Sequence, residues 1–479
     1  MQLVKKDDAV NDLRKMIGSE NVEDDELVIK LYVKNAVYME GSAIAVVFPR
    51  SAEDVSKIIK YCYKNDVKIY PQGSASEIVG SSTPSENGIV LSLERMTKIK
   101  EINIVDSYVI VEPGLKLFEL NQQLAKHGYI FPIDPASVKS ASIGGAINSG
   151  SGGMMGAKYG TIKDWVLGLE FVLPDENGTI LRIGSKTTKY RQGYDFIRLI
   201  VGSEGTLAIV TEAILKIIPL PENVVTIAGF FSELEDLMKT VIDIKKSKID
   251  VLIMEFVDDK SVKIASEVVG SKIKGSGHFL ITSVAIAPEA SERILSTLEN
   301  IYASHGANSI YKAKNQDETE KMGLFDIRRN YYPASIKLAA ETRKDPMSRP
   351  LVYVEDISVP PSKLIDAVNR LRNLENKFNI PMTLGGHISD GNIHPVIWVE
   401  EKDEDKLNAL YEMVKEIMKI GIELDGTMSS EHGIGKTKKE GLIMELESKG
   451  SMKALELMKE VKKIFDPKNI LNPDKMFLR

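Results

Sequence analysis

Between residues 44 and 70 the spacing of apolar positions changes twice. Ile44 to Phe48 is a short continuous apolar run closed by Pro49; Val55, Ile58, Ile59 and Cys62 then recur at helical spacing; Val67 to Tyr70 is again apolar. The pattern predicts strand, helix, strand. Ser51 with Asp54 three residues on resembles a capping box, with Asp in the usual Glu or Gln place. Cys62 falls on the apolar stripe and reads as a core thiol rather than a nucleophile. Further along, Trp165 to Leu173 and Thr179 to Ile183 flank the turn Pro174-Asp175-Glu176-Asn177-Gly178 and predict a hairpin. Gly202-Ser203-Glu204-Gly205-Thr206 is a tight turn leading into an apolar strand. A buried Glu204 carboxylate needs partners, which a ligand ribose or hydroxyl would supply.

Pro219 and Pro221 mark a domain boundary. From about 222 to 425 helical and strand patterns alternate: helix 233–245, strand 251–256, helix 289–302, strand 351–359 and helix 362–378. This predicts an α+β sandwich. The last fifty or so residues read as a helix, 452–465, followed by an irregular tail with Pro467 and Pro473.

Two small-residue stretches interrupt these patterns. Pro71-Gln72-Gly73-Ser74-Ala75-Ser76-Glu77 follows a strand directly. Such a loop exposes successive backbone N–H groups that cradle a phosphate, though a plain surface loop has the same composition. The second stretch, Ser137 to Gly160, has seven glycines between 144 and 160. That density is costly in conformational entropy and makes sense where backbone approaches a flat ligand closely.

The densest candidate chemistry lies later. In Gly385-Gly386-His387-Ile388-Ser389-Asp390-Gly391-Asn392-Ile393-His394, the Asp390-Gly391 pair predicts a two-residue hairpin turn. Ser389 then opposes Asn392, Ile388 opposes Ile393, and His387 opposes His394. Opposed Cβ atoms lie about 4.5–5.5 Å apart, which lets two imidazoles share one metal ion. Thr427-Met428-Ser429-Ser430-Glu431-His432-Gly433 sets a carboxylate beside a third imidazole, so three of the six histidines sit in two short segments. The pattern points to a metal-assisted active site.

The 479 residues predict two or three domains. A composition of 43% hydrophobic and 27% charged residues is that of an ordinary soluble protein, and a net charge of −6 gives no reason to expect nucleic acid. No apolar run reaches the roughly 18 residues of a membrane helix. The segment Met1 to Asp8 does not read as a signal peptide. The single cysteine fits a reducing compartment, so a cytoplasmic location is expected, with peripheral membrane docking through a partner left open.

Taken together and in order, seven segments resemble the flavin-linked 2-hydroxy-acid dehydrogenases and oxidases of the vanillyl-alcohol-oxidase fold, of the D-lactate dehydrogenase and glycolate oxidase flavin-subunit type. They are the loop 71–81, the stretch 142–153, Lys158-Tyr159-Gly160, Gly202 to Leu207, the His387/His394 motif, Glu431-His432-Gly433, and Phe465-Asp466-Pro467 with Leu471-Asn472-Pro473. The resemblance implies an α+β protein. A two-part FAD-binding domain, 1–221 with a returning segment 430–479, would be interrupted by an α+β cap, 222–429. Gly73, Ser74, Ala75 and Ser76, with Ser142, Gly145, Asn148, Ser149 and Gly152, would hold the pyrophosphate and ribityl chain. Pro135, Ser137, Glu204 and Ile209 would line the cofactor, and Asn472 would close over the ring. The first loop departs from the family's richer glycine pattern, with Ser76 in place of Thr and with Ala75 and Glu77. No histidine lies in either small-residue stretch, so non-covalent FAD is expected, and no dinucleotide fingerprint for NAD is present.

The same resemblance makes His432 the base that takes the hydroxyl proton. It makes His387, His394 and Glu431 ligands of a divalent metal with open positions, zinc first, manganese or iron next. Asp390 or Asn392 would orient the histidines. Arg328, with Arg329 second, would bind the substrate carboxylate. Val354-Glu355-Asp356 stands where the D-2-hydroxyglutarate enzymes bind a distal carboxylate, which favours a small monocarboxylate such as D-lactate or glycolate. Electrons would pass to a quinone, a cytochrome or an iron–sulfur subunit, and a homodimer is compatible. The alternatives are a D-2-hydroxyglutarate dehydrogenase, an alkylglycerone-phosphate synthase-like enzyme, and a non-catalytic flavin subunit.

Overall fold

The apolar run at 44–48 forms strand β2 (Ala45–Val47), between β1 (Val22–Glu23) and the later β4 (Ile89–Ser92). The structure, a computed structural model, describes residues 6–37 and 39–477; the reading of the leading segment therefore falls partly outside the described residues. Helix Ala52–Asn65 follows. The Ser51 hydroxyl accepts from Asp54 N–H, and Asp66 ends the helix in the left-handed region. Val55, Ile58, Ile59 and Cys62 are fully buried on its inner face. Burial holds the Cys62 thiol well above its ordinary range. Strand β3 (Ile69–Gln72) starts two residues later than the apolar run suggests, and β2 and β3 both pair parallel to β4. Parallel pairing requires a crossover, which the helix supplies.

The chain divides into two compact units. The first contains residues up to Gly153, Tyr159–Leu220 and Glu431 onward; the second contains Met154–Lys158 and Pro221–Ser430. The boundary at Pro219 and Pro221 thus falls where the proline pair stands, while residues 154–158 group with the second unit. The first unit adds a five-stranded antiparallel sheet of β5 (Ile99–Asn103), β6 (Tyr108–Val111), β8 (Val166–Val172), β9 (Ile180–Gly184) and β10 (Ile209–Lys216), in the order β5-β6-β10-β8-β9. A two-stranded pair, β7 (Tyr129–Ile130) with β11 (Ile218–Pro219), completes it. The hairpin expected at 165–183 is β8 paired with β9. Helix Met452–Phe465 leads the tail back to β3. Ile69 N–H donates to the Ile470 carbonyl, and Asn472 N–H donates to the Ile69 carbonyl. The stretch 142–153 is not loop throughout: Ile143–Ser149 is a short helix capped by the Ser142 hydroxyl.

In the second unit an antiparallel sheet runs through β12 (Asn223–Phe231), β13 (Ile253–Val257), β14 (His278–Ile286), β15 (Ser309–Ala313), β16 (Pro350–Val354), β18 (Met382–His387) and β19 (Asn392–Glu400). The order is β15-β12-β14-β13-β18-β19-β16, and β17 (Ile357–Ser358) also pairs with β19. The strand expected at 351–359 is therefore broken at Glu355-Asp356. Val262 and Ala265 of helix Asp259–Val269, with Ile327, Tyr331 and Ala334, pack on Phe230, Phe279, Ile281 and Val396. Each of the valines, isoleucines and phenylalanines among them contributes about 1.5–3 kcal/mol by leaving water. Amphipathic helices on an antiparallel sheet make this unit α+β, as the alternating patterns predict.

Candidate active site

The register of the histidine hairpin differs from the one expected. His394 opposes Gly385, Leu384 opposes Pro395, and Thr383 opposes Val396. The turn spans four residues, with Gly391 N–H donating to the Ile388 carbonyl at 3.3 Å. Both histidines nevertheless share a face, because a two-residue displacement preserves side-chain parity. His387 is the diagonal neighbour of His394. The rings lie 5.1 Å apart in an edge-to-face arrangement at 86°, and each offers a nitrogen within 4.8 Å of the other's. Only glycine fits opposite His394: a Cβ on Gly385 would stand 2.9 Å from the Tyr331 ring.

On its other side β18 pairs with β13, and there His387 opposes Glu255. Glu255 is fully buried in an otherwise apolar strand. Its Oε1 lies 2.8 Å from His387 Nδ1, and its Oε2 accepts from Arg328 Nε at 2.6 Å. An ionised carboxylate so deeply buried needs charged partners. With Nδ1–H directed at Glu255, Nε2 is the His387 nitrogen suited to ligation. Arg328 stacks beside Tyr331, 5.7 Å from the ring centre. Arg329 points elsewhere: it pairs with Glu320 at the surface, half exposed, so the second choice for a carboxylate-binding arginine is set aside.

Asp356, in the break between β16 and β17, is a second buried anchor. Its Oδ1 accepts from Asn392 Nδ2 at 2.7 Å and lies 3.8 Å from His394 Nδ1. Its Oδ2 accepts from Ser430 N–H at 2.8 Å and from the Ser429 hydroxyl at 3.3 Å. Asn392 thus shares Asp356 Oδ1 with the nearby His394 ring. Asp390 braces the turn, with Oδ1 3.3 Å from Asn392 N. Glu255 and Asp356 are the site residues that sequence reasoning missed in these roles. The available signal was a lone acid within an apolar strand for Glu255, and an acid pair interrupting a strand for Asp356.

In the first unit the two small-residue stretches meet. A Cβ on Gly73 would overlap the Ser142 hydroxyl at 2.2 Å and touch Gly145 Cα at 3.4 Å. Ala75 takes a positive φ of 50°. Among the described residues, the N–H groups of Ser74, Ala75 and Ser76 make no hydrogen bond. Glu77, which departs from the family pattern, is turned into its own loop. Its carboxylate accepts from Val79, Gly80 and Ser82 N–H and from the Ser82 hydroxyl, so its oxygens are committed to residues 79–82.

Glu204 is buried at a positive φ of 53°. Backbone replaces the expected ligand hydroxyl: Ile434 N–H donates to Oε1 at 2.6 Å and Gly435 N–H to Oε2 at 2.8 Å. Glu204 thus fixes the loop just after His432. Burial pushes its carboxyl up to about 7, against the two N–H donors. Glu204 N–H donates to the Asn148 carbonyl, and Asn472 Nδ2 donates to the Glu204 and Ser81 carbonyls. Ser149 donates to the Gly145 carbonyl. Glu431 lies near Gly152, whose added Cβ would stand 3.2 Å from Oε2, and His432 Nε2 is 3.9 Å from Glu431 Oε1. The Pro135 and Ser137 carbonyls close a local turn, and Ile209 of β10 is core, opposite Val172 of β8. Among the described residues, no hydrogen bond ties these three to the cradle.

These features fit a large polar cofactor. The N–H groups at 74–76 suit a phosphate. Three buried oxygens, Asn148 Oδ1, Ser203 Oγ and Asn472 Oδ1, have no partner among the described residues and suit ligand donors.

Two family models match this chain: an FAD binding domain over residues 43–184, and the C-terminal domain of FAD linked oxidases over residues 220–476. The chain belongs to the FAD-linked oxidases. It is 34% identical to a glycolate oxidase subunit of Bacillus subtilis, covering 98% of this chain and 97% of that one. It is 32% identical to a D-lactate dehydrogenase of Archaeoglobus fulgidus, covering 90% of each. Its fold is shared with p-cresol methylhydroxylase, at a TM-score of 0.77 and 15% identity, covering 98% of this chain and 96% of that structure. The protein is thus an FAD-dependent oxidoreductase of the vanillyl-alcohol-oxidase fold. Among the described residues no helix is long and apolar enough to cross a membrane.

Proposed function

We propose that this chain oxidises a small D-2-hydroxy acid, D-lactate or glycolate in type, to the 2-oxo acid and passes the electrons to an acceptor other than NAD. The observation that carries the reading is the Glu255 cluster. A 2-hydroxy acid presents a hydroxyl and a carboxylate on adjacent carbons. Glu255 joins a histidine suited to a metal and an arginine suited to a carboxylate through one buried side chain. The names of the glycolate oxidase and D-lactate dehydrogenase relatives support the same substrate class.

FAD would be held non-covalently by the backbone of 73–76 and the stretch 142–152, and when bound it accepts the hydride equivalent from C2. A divalent metal would be held by His387, His394 and Glu431, zinc being the first candidate, and when bound it polarises the hydroxyl as a Lewis acid. Glu431 and His432 directly follow Ser430, whose N–H is fixed on Asp356. Two residues span at most about 7 Å, so this anchor limits where both can go. His432 takes the hydroxyl proton as the general base. Arg328 uses Nε on Glu255 and directs its terminal nitrogens to the substrate carboxylate. Val354 offers no charge to a distal carboxylate, and Glu355 and Asp356 beside it disfavour one.

The test is anaerobic absorbance of the FAD-loaded protein mixed with D-lactate, L-lactate, glycolate or D-2-hydroxyglutarate, before and after chelation. Bleaching by D-lactate or glycolate, lost on chelation and restored by metal, is expected. A flavin left unbleached by D-lactate and glycolate would reject the reading.

A further inference from the structure

We infer that Lys116 is a binding residue for the pyrophosphate of FAD, supplying the positive charge that a cradle of backbone N–H groups lacks. This rests on the placing of the pyrophosphate at Gly73–Ser76 proposed above. Lys116 stands at the N-cap of helix Leu117–Ala125. Its backbone bridges antiparallel to Ser142, one wall of the cradle. Its Nζ donates to the Ser74 hydroxyl at 2.7 Å, in the other wall. One residue is therefore tied to both walls, which meet where Gly73 packs on Ser142 and Gly145.

The ammonium has no counter-ion of its own. Among the described residues, no carboxylate forms an ion pair with Lys116; Glu94 and Glu119 are the acids whose charge it feels. Its side chain is half removed from water, and burial lowers its pKa. Glu77, the carboxylate nearest in the loop's sequence, has both oxygens taken by residues 79–82. A cation at the N-cap of a nine-residue helix also opposes the helix dipole, which favours negative charge at that end. An anion beside the Ser74–Lys116 contact would satisfy both the N–H run and the ammonium. A diphosphate has the charge for it, and riboflavin, which lacks phosphate, does not.

The experiment uses the full chain stripped of flavin, titrated by fluorescence with FAD and with riboflavin, and with ADP as a competitor of FAD. Lys116→Gln should weaken FAD and ADP about ten- to a hundredfold, the worth of one hydrogen bond between charged groups. Riboflavin affinity should stay within twofold, and Lys116→Arg should restore most of the loss. The affinity of the parent for FAD should fall with salt more steeply than that of Lys116→Gln. FAD affinity unchanged within twofold in Lys116→Gln would overturn the assignment. So would equal losses for FAD and riboflavin, which would mark a structural role. A parent chain that itself fails to bind FAD would instead overturn the cofactor reading, and the assignment with it.

Discussion

Replacing Glu255 by Gln isolates the chemistry of the site's central carboxylate with little change in volume. Glu255 accepts from two donors, Arg328 Nε at 2.6 Å and His387 Nδ1 at 2.8 Å, with no exposure to solvent. Glutamine offers one acceptor and one NH2 group. One donor keeps its partner while the other faces a second donor. The Arg328 side chain, only 12% exposed, is left as a buried cation without its carboxylate. Removing one member of such a pair costs about 3–5 kcal/mol. At roughly 2–4 °C per kcal/mol for a unit of 150–250 residues, the melting midpoint should fall by roughly 6–20 °C. His387 also loses its fixed tautomer, so metal affinity, read by competition with a chromophoric chelator, should fall about 10–100-fold. FAD stoichiometry serves as the control, because the cofactor cradle lies in the other unit. Glu255→Asp keeps the charge and should recover part of the stability. If Glu255→Gln melts within 2 °C of the parent, a margin set by the same roughly 2–4 °C per kcal/mol, and holds metal equally well, Glu255 neither anchors Arg328 nor orients His387.

Arg328→Lys cannot keep both the Glu255 contact and a forked carboxylate contact, and kcat/KM should drop at least about tenfold; Arg329→Gln, which removes an exposed ion pair, should stay within about twofold. A reversed ranking in steady-state kinetics would exchange their roles. His432→Ala should lower kcat about 10²–10⁴-fold with FAD content unchanged; activity within tenfold of the parent would remove His432 as the base. Glu204 has its folded carboxyl raised to about 7 from 4.5, so in that window the folded chain binds the proton more tightly than the unfolded chain does. Its contribution to stability is therefore lost as pH rises from about 4.5 to about 7. Glu204→Gln should flatten that part of the melting curve against pH, and parallel curves would contradict the assignment. Cys62, buried and with its thiol pushed up, should react with a thiol reagent only when the chain unfolds; stoichiometric labelling of the native protein would show that its helix opens.

Local signals in the sequence match the elements of the structure. The 3.6-residue spacing at 55–62 is a helix, the 165–183 hairpin pairs β8 with β9, and the helix at 452–465 has the expected bounds. The partners of the site were harder to see because they are distant along the chain. Glu255 is 132 residues from His387 and 73 from Arg328, and no periodicity links such positions. Glu204 was visible as an acid in a tight turn, but its two N–H partners come from residues 230 and 231 positions away. A polar residue inside an apolar strand shows that a partner must exist, not which one.

The histidine hairpin shows why a different register still brings the two histidines together. Asp390-Gly391 specifies a reversal, but other contacts choose its length. Ile388 N–H donates to the Met254 carbonyl on β13, and a Cβ on Gly391 would stand 1.8 Å from the Val359 carbonyl. These contacts favour a four-residue turn and shift the pairing by two. Since side chains alternate faces along a strand, a shift of two leaves His387 and His394 on one face, whereas a shift of one would separate them. On the other edge of β18, the pairing with β13 sets His387 directly opposite Glu255. The hairpin gives the histidine pair, and the β13 pairing adds a carboxylate that holds one ring and also the arginine. Inserting one residue into the 388–391 turn should therefore abolish metal binding while leaving the FAD cradle intact, and a variant of that kind retaining metal at parental affinity would show that the hairpin does not set the site.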